Sequence, residues 1–246
     1  MSDRDGLLAV LWDMDGTLVD SEKLWDVSLT ELARRLGGEL SAATRASMVG
    51  GSMYSTLRRM FAEVGAPATS EATAEAESWL TERTGELFSH DLRWRPGAPE
   101  ALCMARAAGL ATALVTSTQR GLTERALDRI GRDHFDVTVC GDEVENPKPD
   151  PDPYLRAAEL LGLPAWRCVA VEDSPTGSAA AEAAGCAVLV VPNDVDVPSG
   201  PGRVHRDGLV GLTAGELTEV WNSVMEIGHP YAHPAHSSAP PLHGRY

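Results

Sequence analysis

Positive charge is scarce in this chain. Its 246 residues carry 36 Asp and Glu against 21 Lys and Arg, a formal charge of -15. Nucleic acid and acidic membrane surfaces are bound mainly by neutralising phosphates, so neither is an expected partner. The same deficit would repel a phosphorylated small molecule unless a divalent cation or a local basic group inverts the potential. Lysine is scarcer still: Lys23 and Lys148 are the only two. Cysteine is limited to Cys103, Cys140, Cys168 and Cys186, widely spaced and without a CxxC pair, which reads as free thiols in a reducing cytosol. Long apolar runs are missing as well. The opening MSDRDGLLAVLWD is acidic in its first residues, and its apolar stretch is too short for a signal peptide or a membrane span. A cytoplasmic protein is expected, monomeric, with a dimer as the alternative. A composition of 43% apolar and 5% aromatic residues describes an ordinary globule, large enough to bury a core in one or two domains.

What is present is a periodicity that changes along the chain. Leu7 to Trp12 is an apolar run of strand length, and the next convincing strand does not come until Leu110 to Thr116. The interval reads as helix. Ser21 is placed to cap a helix whose Trp25, Leu29, Leu32 and Leu36 share a face before Gly37 and Gly38 stop it. Further helices are expected over about Ser41 to Val49, Ser52 to Val64 and Ser70 to Phe88, which makes 19–94 an inserted all-α helical domain. After Arg95-Pro96-Gly97 the runs LATALVT, FDVTVCG, RCVAVED and CAVLVV alternate with helical patterns. That alternation predicts an α/β fold: a Rossmann-like parallel sheet with helices on both faces, built from 1–18 and 95–225. Gly109, Gly131, Gly162 and Gly185 each stand where one of these helices should stop. The Pro-, His- and Ser-rich stretch 226–246 has no period and reads as a disordered tail.

In a parallel sheet the C-terminal ends of the strands converge on one edge, where such sheets bind ligands. The first strand delivers Asp13 and Asp15, followed by Gly16 and Thr17 in a tight turn. The second delivers Thr116, Ser117 and Thr118, hydroxyls suited either to phosphate oxygens or to ordinary helix caps. The third leads into NPKPDPDPY, where prolines stiffen a loop around Lys148, a compact ammonium in a chain that otherwise uses arginine. The fourth ends in Glu172-Asp173-Ser174 ahead of Pro175, an acid pair that could also complement a helix dipole. Separate bland explanations do not predict all four landing on one edge. Carboxylates crowded there would raise one another's pKa values unless a hard cation neutralises them, and Mg²⁺ prefers such oxygen ligands.

DMDGT at Asp13 to Thr17, then Thr116, Lys148 and the Glu172-Asp173 pair, resembles in order and position the four motifs of the haloacid dehalogenase superfamily of phosphohydrolases. The resemblance runs from about Leu7 to Val191; the helical insert looks like that family's C1-type cap. PKPDPDPY and EDSPTGSAAAEAAG are phrased as in its β-phosphoglucomutase-like branch. The resemblance implies Mg²⁺-dependent hydrolysis of a small-molecule phosphate monoester. Asp13 would be the nucleophile, forming an aspartyl-phosphate. Asp15 would protonate the leaving alcohol and then deprotonate the attacking water. Mg²⁺ would be held by Asp13, the Asp15 main-chain carbonyl and Asp173, with Glu172 reaching it through water. Thr116 and the Ser117 N–H would hold phosphoryl oxygens, with Lys148 offsetting their charge.

Departures from the family's other branches narrow the chemistry. Dehalogenases lack the second acid of the first motif, because a halide needs no proton, so Asp15 argues against them. Phosphonatases need a Schiff-base lysine in the cap, and the insert's only lysine is Lys23, at its very start. The mutases, the runner-up as hexose-phosphate mutases, carry a histidine where Trp25 stands and an arginine near Met53. A non-catalytic binding module on the same scaffold is the third reading; the joint presence of Asp13, Asp15, Lys148 and Asp173 speaks against it. Trp25, near the start of the first cap helix, is the expected cap contact to substrate, or else a core residue packed with Leu29 and Leu32.

Overall fold

Alternation along the strands sorts the sheet's side chains onto two dry faces. The structure, a computed structural model, describes residues 6–193 and 195–226. Strands β1 (Ala9–Trp12), β2 (Ala111–Val115), β3 (Val137–Val139), β4 (Cys168–Glu172), β5 (Ala187–Val190) and β6 (Arg203–His205) form one sheet in the order β3-β2-β1-β4-β5-β6. Every pairing is parallel. Val10, Trp12, Leu114, Val171 and Leu189 face helices α5 (Ala98–Ala107), α6 (Arg120–Ile130) and α9 (Ala214–Glu226). Ala9, Leu11, Val115, Ala170 and Val188 face α7 (Asp152–Leu160) and α8 (Pro175–Ala184). Burial on both sides is why these strands read as continuous apolar runs rather than alternating ones.

Register decides what meets at the edge. Trp12 stands opposite Leu114 on one side and Val171 on the other. Asp13, Val115 and Glu172 therefore follow at one level on three adjacent strands, with Thr116 and Asp173 one residue further on.

Between β1 and α5 lie α1 (Glu22–Arg35), α2 (Ala42–Ala46), α3 (Met53–Val64) and α4 (Ser70–Asp91). They close over an apolar cluster of their own that includes Leu29, Leu32, Leu57, Met60, Phe61 and Leu80. The chain enters and leaves this insert side by side: Val19 bridges Trp94, Asp20 N–H donates to Arg93 O at 2.9 Å, and Arg95 N–H donates to Leu18 O at 2.8 Å.

Some expectations shift. Ser21 precedes α1 but makes no side-chain cap, because its hydroxyl is used elsewhere. The second insert helix is shorter than expected, five residues. The four glycines expected to stop core helices all have positive φ. Two elements not expected from sequence complete the core: β6, too short and polar to stand out, and α9, whose Leu217, Val220, Trp221 and Val224 line one face. The expected disordered tail lies, beyond Glu226, outside the described residues. No described helix is long and apolar enough to cross a membrane.

Candidate active site

Asp13 follows β1 directly, and its N–H still bonds to Val171 O at 3.0 Å. That fixes the carboxyl at the middle of the sheet edge. Its Oδ1 accepts from Lys148 Nζ at 2.8 Å, and the same ammonium reaches Glu172 Oε1 at 2.7 Å and Val115 O at 2.9 Å. Lys148 thus spans the ends of three strands, although it comes from the loop after β3. Tyr154 O–H, on the first turns of α7, donates to the same Glu172 oxygen at 2.6 Å, and the Lys148 Nζ lies 5.0 Å from the centre of its ring. Glu172 Oε2 accepts from Ser174 Oγ at 3.1 Å, while Ser174 Oγ accepts from Gly177 N–H at 3.0 Å as the cap of α8. A Cβ on Gly177 would come 1.8 Å from Glu172 Oε1, so only glycine lets α8 approach this carboxylate.

These groups are out of water. Asp13, Lys148, Glu172 and Asp173 are all buried. Burial, helped by Glu172, pushes the Asp13 carboxyl up to about 7 in spite of Lys148. Burial, then Asp13, Glu172 and Glu22, pushes Asp173 well above the ordinary carboxylate range. Burial alone would lower the Lys148 ammonium, but Asp13 and Glu172 outweigh it and hold it above its usual value. Burial with the neighbouring Glu172 raises the Tyr154 phenol, which is a neutral donor.

Three carboxylates against one ammonium leave the cluster short of positive charge. Asp13, Glu172 and Asp173 each present an oxygen within 4.8 Å of the others, an arrangement that could hold a metal ion. Asp13 Oδ2 is buried with no hydrogen-bond partner among the described residues. Gly16, at φ +80, backs onto Asp173, whose Oδ2 would lie 2.0 Å from any Cβ there. An all-oxygen donor set, an orphaned carboxylate oxygen and a charge deficit together fit a hard divalent cation.

Asp15 has a different environment. Its Oδ1 accepts from Ser21 Oγ at 2.6 Å and Trp25 Nε1 at 3.1 Å. Its Oδ2 accepts from Thr116 Oγ1 at 3.1 Å and Thr118 Oγ1 at 2.8 Å. Thr116, expected on a phosphoryl oxygen, is thus turned to Asp15, and Thr118 shares that oxygen from the bend after β2, where its N–H donates to Thr116 Oγ1 at 3.0 Å. Ser117 faces the other way, and its Oγ donates to Gly50 O, in the loop between α2 and α3, at 3.3 Å.

Asp13, Asp15, Lys148 and Asp173 line a cavity of about 430 Å³ roofed by the insert, with Trp25, Leu29, Met48 and Met53 on its apolar side. Asn193, after β5, is a residue sequence reasoning missed. Its Nδ2 donates to Glu22 Oε2 at 2.7 Å while its Oδ1 accepts from Arg95, so it ties both connections of the insert to the core. An amide carries no charge to set it apart from the acids and valines beside it in that loop.

The haloacid dehalogenase-like hydrolase family model matches residues 10–191. The chain is 34% identical to hexitol phosphatase A of Escherichia coli (strain K12), over 85% of this chain and 92% of that one. It is 33% identical to the phosphorylated carbohydrates phosphatase of Thermotoga maritima, over 89% and 99% respectively. Among solved structures it is similar in fold to a β-phosphoglucomutase from Clostridium difficile, with a TM-score of 0.80 at 20% identity, covering 89% of this chain and 99% of that one. The chain belongs to the haloacid dehalogenase-like hydrolases and is a phosphohydrolase of that family.

Proposed function

We propose that the protein hydrolyses the phosphate monoester of a small sugar or polyol, with Mg²⁺, through an aspartyl-phosphate on Asp13. The observation that carries this is Asp13 itself: a buried carboxylate at the cavity floor, paired with Lys148 through one oxygen and unpartnered at the other. Asp13 attacks phosphorus and the ester P–O bond breaks towards the alcohol, which takes its proton from Asp15. Asp15 then removes a proton from water, which attacks the aspartyl-phosphate, releasing phosphate and restoring Asp13. Lys148 offsets charge on the phosphoryl oxygens, which the Ser117 N–H and, once turned from Asp15, the Thr116 hydroxyl also meet. Mg²⁺ would be held by Asp13, Asp173 and the Asp15 main-chain carbonyl, with Glu172 reaching it through water, and would supply electrostatic neutralisation of the phosphoryl group. Glu172 already accepts from Lys148, Tyr154 and Ser174, which suits it to orient Lys148 rather than to bind directly.

The substrate class is supported by two relatives of about one-third identity, whose names are hexitol phosphatase A and phosphorylated carbohydrates phosphatase. The insert, 19–94, acts as the cap that selects the substrate above a core of 1–18 and 95–225, and Trp25 presents part of its apolar wall. Hydrolysis is favoured over the mutase reading because an indole has no basic nitrogen with which to exchange a proton.

A panel of sugar, polyol and aryl phosphates, assayed with Mg²⁺ and with chelator, tests the proposal. Turnover of sugar or polyol esters that needs Mg²⁺ and disappears in Asp13→Asn is the expected result. Metal-independent turnover, or an Asp13→Asn variant as active as wild type, would refute it.

A further inference from the structure

One ion pair in the roof of the cavity is not used by the phosphoryl chemistry. Along α1 the cavity is met by Glu22, Trp25, Asp26 and Leu29, which share one face of the helix at the spacing i, i+3, i+4, i+7. Along α2 it is met by Ala42, Arg45 and Ala46 at the same spacing. Arg45 forms a salt bridge with Asp26 and so joins the two helices across the roof. α2 has no buried residue. Polar ties to α3 hold it instead: Thr44 Oγ1 donates to Glu63 Oε2 at 2.9 Å, Ser41 N–H to Glu63 Oε1 at 3.2 Å, and Arg59 to Ser47 O. Between two alanines, the guanidinium is the longest group that α2 turns to the cavity.

The pair stays open to a ligand. Arg45 keeps 35% of its side-chain surface and Asp26 45%. A carboxylate has about four lone-pair positions and a guanidinium five N–H donors, so one salt bridge uses only part of either set. A hydroxyl can donate to the first and accept from the second at once.

Charge decides what else fits. The acids lining the cavity outnumber its cations. Each lining cation among the described residues is already matched, Lys148 by Asp13 and Glu172, Lys23 by Asp20, and Arg45 by Asp26. The transferred phosphoryl group is met at the sheet edge, but a second anionic group on the leaving alcohol would reach Arg45 only by displacing Asp26, against repulsion from Asp26 and Glu22.

We infer that Asp26 and Arg45 form a hydroxyl-binding subsite that selects a neutral polyol as leaving group and rejects one carrying a second negative charge. This rests on the phosphatase reading above, and within its sugar and polyol esters it picks out those whose far end is an alcohol rather than an acid or a second phosphate.

Glucitol 6-phosphate and 6-phosphogluconate differ only at C1, a primary alcohol in one and a carboxylate in the other. Wild type, Asp26→Asn and Arg45→Gln are assayed with Mg²⁺ on this pair and on p-nitrophenyl phosphate, which offers no hydroxyl. In wild type, kcat/KM should favour the alcohol at least roughly tenfold, the size of one hydrogen bond to a charged group. Asp26→Asn frees Arg45 and should lower that alcohol-to-acid ratio about tenfold, with KM rising for the alcohol and falling for the acid. Arg45→Gln should lower kcat/KM for the alcohol about tenfold, with much less loss on the aryl ester and no gain on the acid. Both variants should melt close to wild type, because a half-exposed pair contributes little to stability. An alcohol-to-acid ratio unchanged in Asp26→Asn, or equal fractional losses on all three esters, overturns the inference and leaves the phosphatase reading standing. So does a wild type that prefers the acid, or one that cleaves only the aryl ester. Should one variant not fold, the other decides. A wild type that turns over no ester overturns the reading and the inference together.

Discussion

Asp13 and Asp15 leave one strand two residues apart, and they are held by opposite means. At the sheet edge, Asp13 sits among charges: one ammonium, two further carboxylates and almost no water. Under the insert, Asp15 is surrounded by neutral donors, three hydroxyls and an indole. The first arrangement stores unbalanced charge that a cation can relieve. The second holds a carboxyl with neutral donors only, three of them hydroxyls that can also accept. Under the proposed mechanism, the nucleophile needs a bound cation beside Lys148 to stay charged in its buried setting, whereas the acid meets only neutral groups.

Four measurements would break or sharpen that contrast. The largest effect belongs to Asp13→Asn, which should lower turnover at least roughly a thousandfold on alkyl and aryl esters alike, because the bond-forming atom itself is altered. An effect confined to alkyl esters would erase the distinction between the two aspartates.

Lys148→Ala comes next. It leaves Asp13 and Glu172 buried without their cation, a change that costs about 3–5 kcal/mol. A large drop in melting temperature is expected, partly restored by Mg²⁺ as it binds the folded state. A variant as stable as wild type in chelator would show that the cluster is less desolvated than its burial implies.

The pH dependence of metal binding follows. Asp13, pushed up to about 7 by burial, binds a proton in competition with the cation. As pH falls below about 7, the apparent Kd for Mg²⁺ should rise, by about tenfold per unit for one displaced proton. Calorimetry at pH 5.5–8.5 reads this directly. A flat profile would remove Asp13 from the ligand set.

The smallest effect is expected from Thr118→Val, which deletes one neutral donor to Asp15 with little change in shape. It should cost about 1 kcal/mol, seen as a several-fold loss on alkyl esters with aryl phosphate spared. Loss of both activities together would tie Thr118 to phosphate instead.

The sheet edge was legible because its causes are local. A parallel strand buried on both faces must be an unbroken apolar run, so Leu7 to Trp12 and RCVAVED point to their own ends, and the acids stand just past them. Lys148 was found by scarcity rather than by pattern. The donors around Asp15 were less visible, because they depend on how α1 turns away from the core. Ser21 is of a residue type that caps helices and stands just before α1, yet in the fold its hydroxyl serves Asp15. Trp25 has the spacing of a core residue, and nothing in that spacing reveals where its N–H goes. Tyr154 and Asn193 were missed for the same reason: each acts across a loop, on a partner fixed only by tertiary packing.

The side-by-side entry and exit of the insert has a consequence for how the chain can be rebuilt. Leu18 and Arg95 are joined by a hydrogen bond of 2.8 Å, so to the core the intervening segment is a loop of nearly zero span. Closing such a loop carries an entropy that grows only logarithmically with its length, about 0.6 kcal/mol for each doubling. A turn of a few residues, or another helical module whose ends meet at that spacing, can be grafted there with little strain on the sheet. The same junction thus lets one hydrolytic edge accept new roofs, each presenting a different wall to the alcohol that leaves.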